Sequence, residues 1–335
     1  MTNKDIQKQK ATSKWLSKLL LCTSIILCIV LALIYTLEPD FCAALTFWPI
    51  WIWAIPGIVL SLISLRVLKK TGLIVTFAWI LVVVFIAEEP LSFIRGFIRK
   101  DCTKSCKKGT CLRIVSLNCA GGNIEAIEEL LQYTPDIVLL QESPQANALK
   151  TVTHMIFGEN SEFVLEGDNA ILAKGQVIKA EISREKRLLM TAARVKMNSD
   201  LEIEVVSVHL LPPATGINLL SPACWKEHWE DRRQRIKQMS GIREYFDTVE
   251  GNVPLIIGGD FNASPWTGEE KLFSPRIFDT FEKGGIGWPG TGPSHFPLWR
   301  VDQIWASKHL KVIKVRSEKS ENSDHRIVVC DLCVL

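Results

Sequence analysis

The chain has 335 residues, of which 47% are hydrophobic and 22% charged, and a net charge of +3. So large an apolar share excludes a disordered chain and sits badly with an ordinary soluble one. So small a net charge does not by itself announce a nucleic-acid binder.

Met1 to Lys18 forms a polar, basic tail (1–18), and Leu19 to Leu37 then runs almost without charge, long enough for one helical span. No small-residue cleavage site follows and more apolar segments come after it, so it reads as an uncleaved anchor rather than a signal peptide. Ala44 to Leu65 is a second span, with Trp48, Trp51 and Trp53 as an interfacial belt near its start and Pro56-Gly57 expected to bend it. Residues 72–87 form a third, shorter and weaker candidate. The anchor (19–94) is thus a bundle of two or three transmembrane helices, and the lipid bilayer is an expected partner; no protein partner is evident. Lysines crowd the tail, the loop around Glu38 and Asp40 has none, and Arg66, Lys69 and Lys70 mark the next loop, which places the N-terminus in the cytoplasm. Three spans put the remainder outside the cytoplasm, periplasmic or extracellular; Arg95, Arg99 and Lys100 pull against that, and two spans leave it inside.

Residues 95–110 read as a basic linker containing Cys102 and Cys106, followed at once by Cys111. Outside the cytoplasm these predict a disulfide with a partner among Cys119, Cys224, Cys330 and Cys333. A zinc site lacks the paired cysteines or histidines at standard spacing. Cys330 and Cys333 differ in strand parity and do not both face one core.

Residues 111–335 read as one α/β domain of short aliphatic strands: Leu112–Asn118, Ile137–Gln141, Ala170–Ala173, Thr191–Lys196, Glu202–His209, Leu255–Gly259, Val301–Ala306, Val312–Arg316 and Arg326–Leu332. Helices are expected over Ile124–Gln132 and Trp225–Phe246. In the second, Trp225, Trp229, Ile236, Met239 and Ile242 line one face and Arg232, Arg233, Arg235 and Lys237 lie mostly elsewhere, as a solvated face or a screen for an anionic substrate. Leu255, Ile256 and Ile257 form a strand buried on both faces, and Gly258-Gly259 lets its end turn tightly. Asp260 and Asn262 follow, placed by alternation on one side at the carboxyl end of a buried strand, where open sheets carry their chemistry.

Other strands also end in residues that suit a metal-dependent phosphate site better than a core. Asn118, Glu142 after Gln141, and His209 end strands, Asp302 follows Val301, and Asp324-His325 opens the last one. Singly each has a dull explanation as a cap, a turn or a structural histidine. With the stretches VSLNCAGGN (Val115–Asn123), DIVLLQES (Asp136–Ser143), VVSVHLLPP (Val205–Pro213), GGDFNASP (Gly258–Pro265), RVDQIWAS (Arg300–Ser307) and SDHRIVV (Ser323–Val329), the chain from Cys111 resembles the endonuclease/exonuclease/phosphatase superfamily, the deoxyribonuclease-I-like fold.

That resemblance implies a four-layer α/β sandwich, two packed mixed β-sheets flanked by helices. It further implies a hydrolase of phosphodiester or phosphomonoester bonds that uses Mg²⁺, with Mn²⁺ as a substitute, and in-line attack of water. By resemblance Glu142 is the main metal ligand, Asn118 helps hold the ion and Asp324 assists; Asp260 orients or deprotonates the water. Asn262 and His209 bind the phosphate, His325 donates to it, and Asp302 orients His325. Gln303 departs from the histidine many relatives carry after the aspartate. His209 has Glu166 and Asp168 as candidate partners, neither fixed by a motif. Trp266 and Arg300 are expected on the substrate side, with His295, Phe296 and Trp299. The substrate is a nucleic-acid strand or a phospholipid head group. Leu210–Cys224, apolar and proline-rich, covers the pocket or leans on the bilayer. A catalytically silent scaffold would have lost site residues, and none is lost. A transporter is disfavoured by the absence of charge within the spans.

Overall fold

The computed structural model describes residues 3–98, 111–183, 186, 189–198, 201–267, 272–273 and 275–335. The chain divides into two compact units, Met1–Leu91 and Ser92–Leu335.

In the first unit, helices α1 (Asn3–Leu37), α2 (Ala43–Thr46), α3 (Ile50–Ser64) and α4 (Lys69–Ile86) follow one another. Among the described residues two helices are long and apolar enough to cross a membrane, Gln9–Leu37 and Lys69–Ile86, and a third is added if Asp40–Thr46 and Ile50–Ser64, bent by 73°, are one span. The sequence ranking is therefore reversed for the last two candidates. The break in the second falls before Pro49, which caps α3 and has no N–H to continue a preceding helix. Pro56, the expected bend, lies inside α3. Ser24 Oγ donates to Gly57 O at 2.7 Å and accepts from Trp79 Nε1 at 3.0 Å, joining α1, α3 and α4 at one point. Hydroxyl pairs and small residues are what hold apolar helices together in lipid. A Cβ on Gly57 would stand 2.1 Å from the Trp79 ring.

The chain passes into the second unit within α5 (Glu89–Ile98). Arg95, assigned to the linker by sequence, belongs to this unit. Its strands are β1 (Cys111–Asn118), β2 (Ile137–Gln141), β3 (Glu162–Glu166), β4 (Asn169–Ala173), β5 (Gln176–Lys179), β6 (Met190–Asn198), β7 (Leu201–His209), β8 (Leu255–Asp260), β9 (Ile277–Asp279), β10 (Asp302–Ser307), β11 (Leu310–Glu318) and β12 (Ile327–Val334). They form two six-stranded mixed sheets ordered β11-β12-β1-β2-β4-β3 and β5-β6-β7-β8-β10-β9. Helices α6 (Ile124–Glu128) and α7 (Ala146–Phe157) cover the first sheet, α8 (Pro222–Thr248) covers the second, and α9 (Thr280–Gly284) precedes the segment leading to β10.

Ile114, Leu139, Ile256, Ile304 and Cys330 meet between the sheets, whereas Leu255 and Ile257 turn outward against Met239, Ile242 and Phe246 of α8. The strand before Asp260 is thus buried on both faces, and the four-layer α/β sandwich is the observed fold. On α8 the buried stripe runs Cys224, His228, Arg232, Arg235, Met239, Ile242 and Phe246, a spacing of three and four residues. Arg232 and Arg235 therefore belong to the packed face and not to a solvated one, while Trp229 is 37% exposed beneath Arg233. Cys330 is buried between the sheets and free, and Cys333 is disulfide-bonded. Cys111, Cys119 and Cys224 are free; Cys102 and Cys106 lie outside the described residues.

Two glycines let β8 lie close to its neighbours. A Cβ on Gly258 would meet Leu139 at 2.7 Å, and one on Gly259, at φ +139°, would meet Val208 O at 2.1 Å. Gly259→Ala is expected to cost about 3 kcal/mol from strain and overpacking, whereas Gly251→Ala, with open space around it, is expected to be neutral. Thermal unfolding of the β-rich unit by circular dichroism checks the difference.

Candidate active site

Strand register assembles the site. β1 and β2 are parallel with Asn118 beside Gln141, and β7 and β8 are parallel with His209 beside Asp260. Antiparallel β10 opens with Asp302 opposite Asp260. Parallel neighbours end at one edge, so the carboxyl ends of four strands and the start of β10 come together there. Glu142 follows β2 at φ +47°, and His325 enters from the loop before β12.

At the centre is Asp260, 1% exposed. Its Oδ2 lies 3.2 Å from Asn118 Nδ2 and 3.8 Å from Nε2 of both His209 and His325. Its Oδ1 accepts from Asn262 N at 2.8 Å. That turn, with Asn262 at φ +49°, places Asn262, so strand alternation is not what aims it. Asn262 Nδ2 donates to Leu210 O at 2.8 Å and ties the DFN turn to the segment after His209. His325 Nδ1 lies 2.8 Å from Asp302 Oδ2, and His209 Nδ1 lies 2.7 Å from Asp168 Oδ2. Each imidazole is thus held at one nitrogen by its own carboxylate and directs the other towards Asp260.

Burial raises the Asp260 carboxyl, Asp302 adds to that, and the two imidazoles and the Asn262 N–H pull back, leaving it raised to about 6. For His325, burial works against the proton, but the charge and hydrogen bond of Asp302, helped by Asp260 and Asp324, outweigh it and push the imidazole up to about 10. His209 is likewise raised: burial opposes, and the Asp168 hydrogen bond with the charges of Asp260, Asp168 and Glu142 prevails. Above pH 6 the edge therefore carries a buried carboxylate able to take a proton from water, beside the His325 imidazolium, whose N–H is able to donate to an anionic oxygen.

The residues fit a divalent cation. Glu142 Oε2 accepts from Gly121 N at 2.7 Å and Oε1 from Asn118 Nδ2 at 3.2 Å, so one amide links the Glu142 and Asp260 carboxylates. Asp302 Oδ1 is buried without a hydrogen-bond partner among the described residues. Asp260, Asp302 and His325 bring ligand atoms within 4.8 Å of one another. Glu142 and the Asn118 amide add hard oxygen donors of the kind such an ion prefers. Asp324 is exposed beside His325, its carbonyl accepting from Ser294 N at 2.6 Å.

A sequence model of the Endonuclease/Exonuclease/phosphatase family matches residues 115–325, more than half of the chain. The chain belongs to that family. Members hydrolyse phosphoester bonds and generally use a divalent metal, and this endonuclease/exonuclease/phosphatase protein is one of those hydrolases. The human nocturnin catalytic domain, solved with a bound sulfate anion, is similar at 20% identity over 67% of this chain and 95% of its own, with a TM-score of 0.52. A family member from Beutenbergia cavernae is similar at 16% identity, 67% and 72% coverage and a TM-score of 0.51. One from Bacteroides vulgatus gives 14%, 68% and 100%, and 0.52. These likenesses concern the fold. No curated protein matches the chain by sequence.

The structure gathers Asn118, Glu142, His209, Asp260, Asn262, Asp302 and His325 at one edge, and corrects one expectation. Arg300 is 2% exposed and paired with Asp279 through two nitrogens, over the Phe281 ring, so it holds the α9 N-terminus and not substrate. The Trp266 side chain lies outside the described residues. Gln303 is structural: its amide nitrogen donates to Ala263 O at 2.7 Å and its oxygen accepts from Trp305 Nε1 at 3.0 Å, joining the DFNAS turn to β10. Asp168 is the group sequence reading left undecided. It sits in the tight β3–β4 turn, 41 residues from His209, and only the Gly-Asp-Asn turn signal marks it.

Activity is expected to rise with pH through about 6 as Asp260 loses its proton and to fall near 10 as His325 loses its own. Since Asp302 stabilises the imidazolium, Asp302→Asn lowers that upper limit, moving the falling limb down by about two pH units; a kcat/KM profile reads both. Asp168→Ala is expected to lower kcat about 10- to 100-fold by releasing His209, read at saturating substrate.

Proposed function

We propose that this protein is a membrane-anchored, Mg²⁺-dependent phosphodiesterase whose attacking water is activated by Asp260. The observation that carries the reading is the Asp260 carboxylate set between two acid-held imidazoles, with the Asn118 amide joining it to Glu142. Glu142 and Asn118, assisted by Asp324, would hold the cation, which would supply neutralisation of charge on the phosphate. Asp260 takes the water's proton; Asn262 and His209 hold the non-bridging oxygens, and His325, oriented by Asp302, donates to the oxygen where charge develops. Asp168, bonded to Nδ1, orients the His209 ring so that Nε2 faces inward. Mn²⁺, which favours the same oxygen donors, would substitute. The sulfate in nocturnin supports an oxyanion site in this fold.

The substrate is a phosphodiester of a nucleic-acid strand or a phospholipid head group. Residues 1–18 form the cytoplasmic tail, 19–94 contain the anchor, and 111–335 carry the catalytic residues outside the cytoplasm. The lysine pattern of the tail and loops supports that topology, as does the disulfide at Cys333, since such bonds persist in oxidising compartments.

Hydrolysis of plasmid DNA, RNA, sphingomyelin, glycerophospholipids and phosphoinositides by the full chain in detergent is the test. Cleavage of one of these with Mg²⁺, stopped by EDTA and reduced about 10²- to 10⁴-fold in Asp260→Ala, is expected. Undiminished turnover in EDTA or in Asp260→Ala would overturn the mechanism.

A further inference from the structure

The second unit begins at Ser92, well before the family match at residue 115. The residues between are not idle. Three guanidinium nitrogens of Arg95 each donate to a different backbone carbonyl: Nε to Gly285 O at 2.8 Å, Nη1 to Glu282 O at 2.8 Å and Nη2 to Phe281 O at 3.2 Å. Two of these carbonyls belong to α9 and the third to the residue that follows it, at the helix's C-terminal end, which favours a cation. Ser92 adds a two-way contact, Oγ donating to Gly287 O at 2.7 Å and its carbonyl accepting from Gly287 N at 3.3 Å. Phe93 packs on Trp288 with centroids 6.2 Å apart.

The segment thus held leads directly to the Asp302–His325 pair. Ile286 N donates to Val315 O, and Thr291 N and Gly292 N both donate to Trp299 O, closing the loop of residues 285–299. Thr291 Oγ1 accepts from Val301 N at 3.1 Å and Asp302 N at 3.0 Å, which fixes the backbone of Asp302. On the other side, Thr291 O accepts from Arg326 N at 2.8 Å and Ser294 N donates to Asp324 O at 2.6 Å, which fixes both neighbours of His325. One loop therefore braces both members of the pair, and α9 at its root is gripped by Arg300 through Asp279 at one end and by Arg95 at the other.

We propose that Arg95, outside the family match, is a positioning residue for the Asp302–His325 pair, clamping the C-terminal end of α9 and so fixing the 285–299 loop that braces that pair. The proposal rests on the catalytic reading of His325 given above. Arginine suits the task because its rigid fork meets three carbonyls at once, which the point charge of lysine does not.

The experiment uses the full chain in detergent micelles, as wild type, Arg95→Ala, Arg95→Lys and Ser92→Ala. It follows three quantities: hydrogen–deuterium exchange of the amides from Thr291 to Asp302, kcat and KM with Mg²⁺ on an activated phosphodiester such as bis(p-nitrophenyl) phosphate, and melting temperature. In Arg95→Ala the loop amides should exchange on the order of tenfold faster while the β1 and β8 amides do not change. Its kcat should fall about 10- to 100-fold with KM nearly constant. Millimolar guanidinium should reverse both effects, and Arg95→Lys should reverse them in part. A folded Arg95→Ala with unchanged loop exchange and kcat overturns the proposal, as does a loss of kcat that tracks faster exchange throughout the sheets. Should Arg95→Ala fail to fold, Ser92→Ala must show the same pattern on a smaller scale, and its absence is equally fatal. A wild type that hydrolyses nothing sinks the phosphodiesterase reading, and loop exchange then decides the clamp alone.

Discussion

A carboxylate with 1% of its surface exposed keeps its charge only beside opposite charge, and the arrangement around Asp260 follows from that constraint. Asp168, His209, Asp260, His325 and Asp302 form a row of alternating sign, joined at 2.7, 3.8, 3.8 and 2.8 Å. Each imidazole supports the central acid, and each outer acid supports an imidazole. Removing one member leaves its neighbour buried against the wrong partner. Burial and the neighbouring Asp302 hold the central carboxyl above its ordinary range against the pull of the two imidazoles, whereas the short outer contacts lock the rings.

The row exists because the backbone brings together residues far apart in the chain. Parallel pairing of β7 with β8 sets His209 beside Asp260, and antiparallel pairing with β10 sets Asp302 opposite it. The first sheet contributes Asn118 and Glu142 only because the inter-sheet core of Leu139, Ile256 and Ile304 holds the two sheets in register at that edge. Gly258 and Gly259 let the backbone pass where a side chain would meet Leu139 and Val208. The aliphatic core and the polar edge are therefore one construction, since a one-residue slip of β8 would turn both Ile256 and Asp260 to the opposite face.

Much of this was legible from residues alone because it is written in short local patterns. The strand before Asp260 announces itself by three aliphatic residues and two glycines, and Ile137–Gln141 is observed with the bounds read from sequence. What escaped was nonlocal. The Glu162–Glu166 strand is an edge strand with a glutamate at each end, and Ile277–Asp279 has only three residues, too few for a period to show. Asp168 has no sequence relation to His209. Arg232 and Arg235 look solvent-seeking by type, yet the three-and-four spacing of α8 puts them among its buried positions. Arg300, adjacent to a catalytic motif, invited a substrate role that its pairing with Asp279 removes.

The three carbonyls held by Arg95 bear on how such a chain changes over generations. A tether that merely joined an anchor to an enzyme would tolerate replacement, lengthening or exchange with another anchor. Here Ser92 and Arg95, just after the apolar helices, bond the root of the 285–299 loop, so a change at either reaches that loop. Under the clamp proposed above, a graft that keeps the hydrophobicity of the apolar helices but alters residues 92–98 would be visible to selection through turnover.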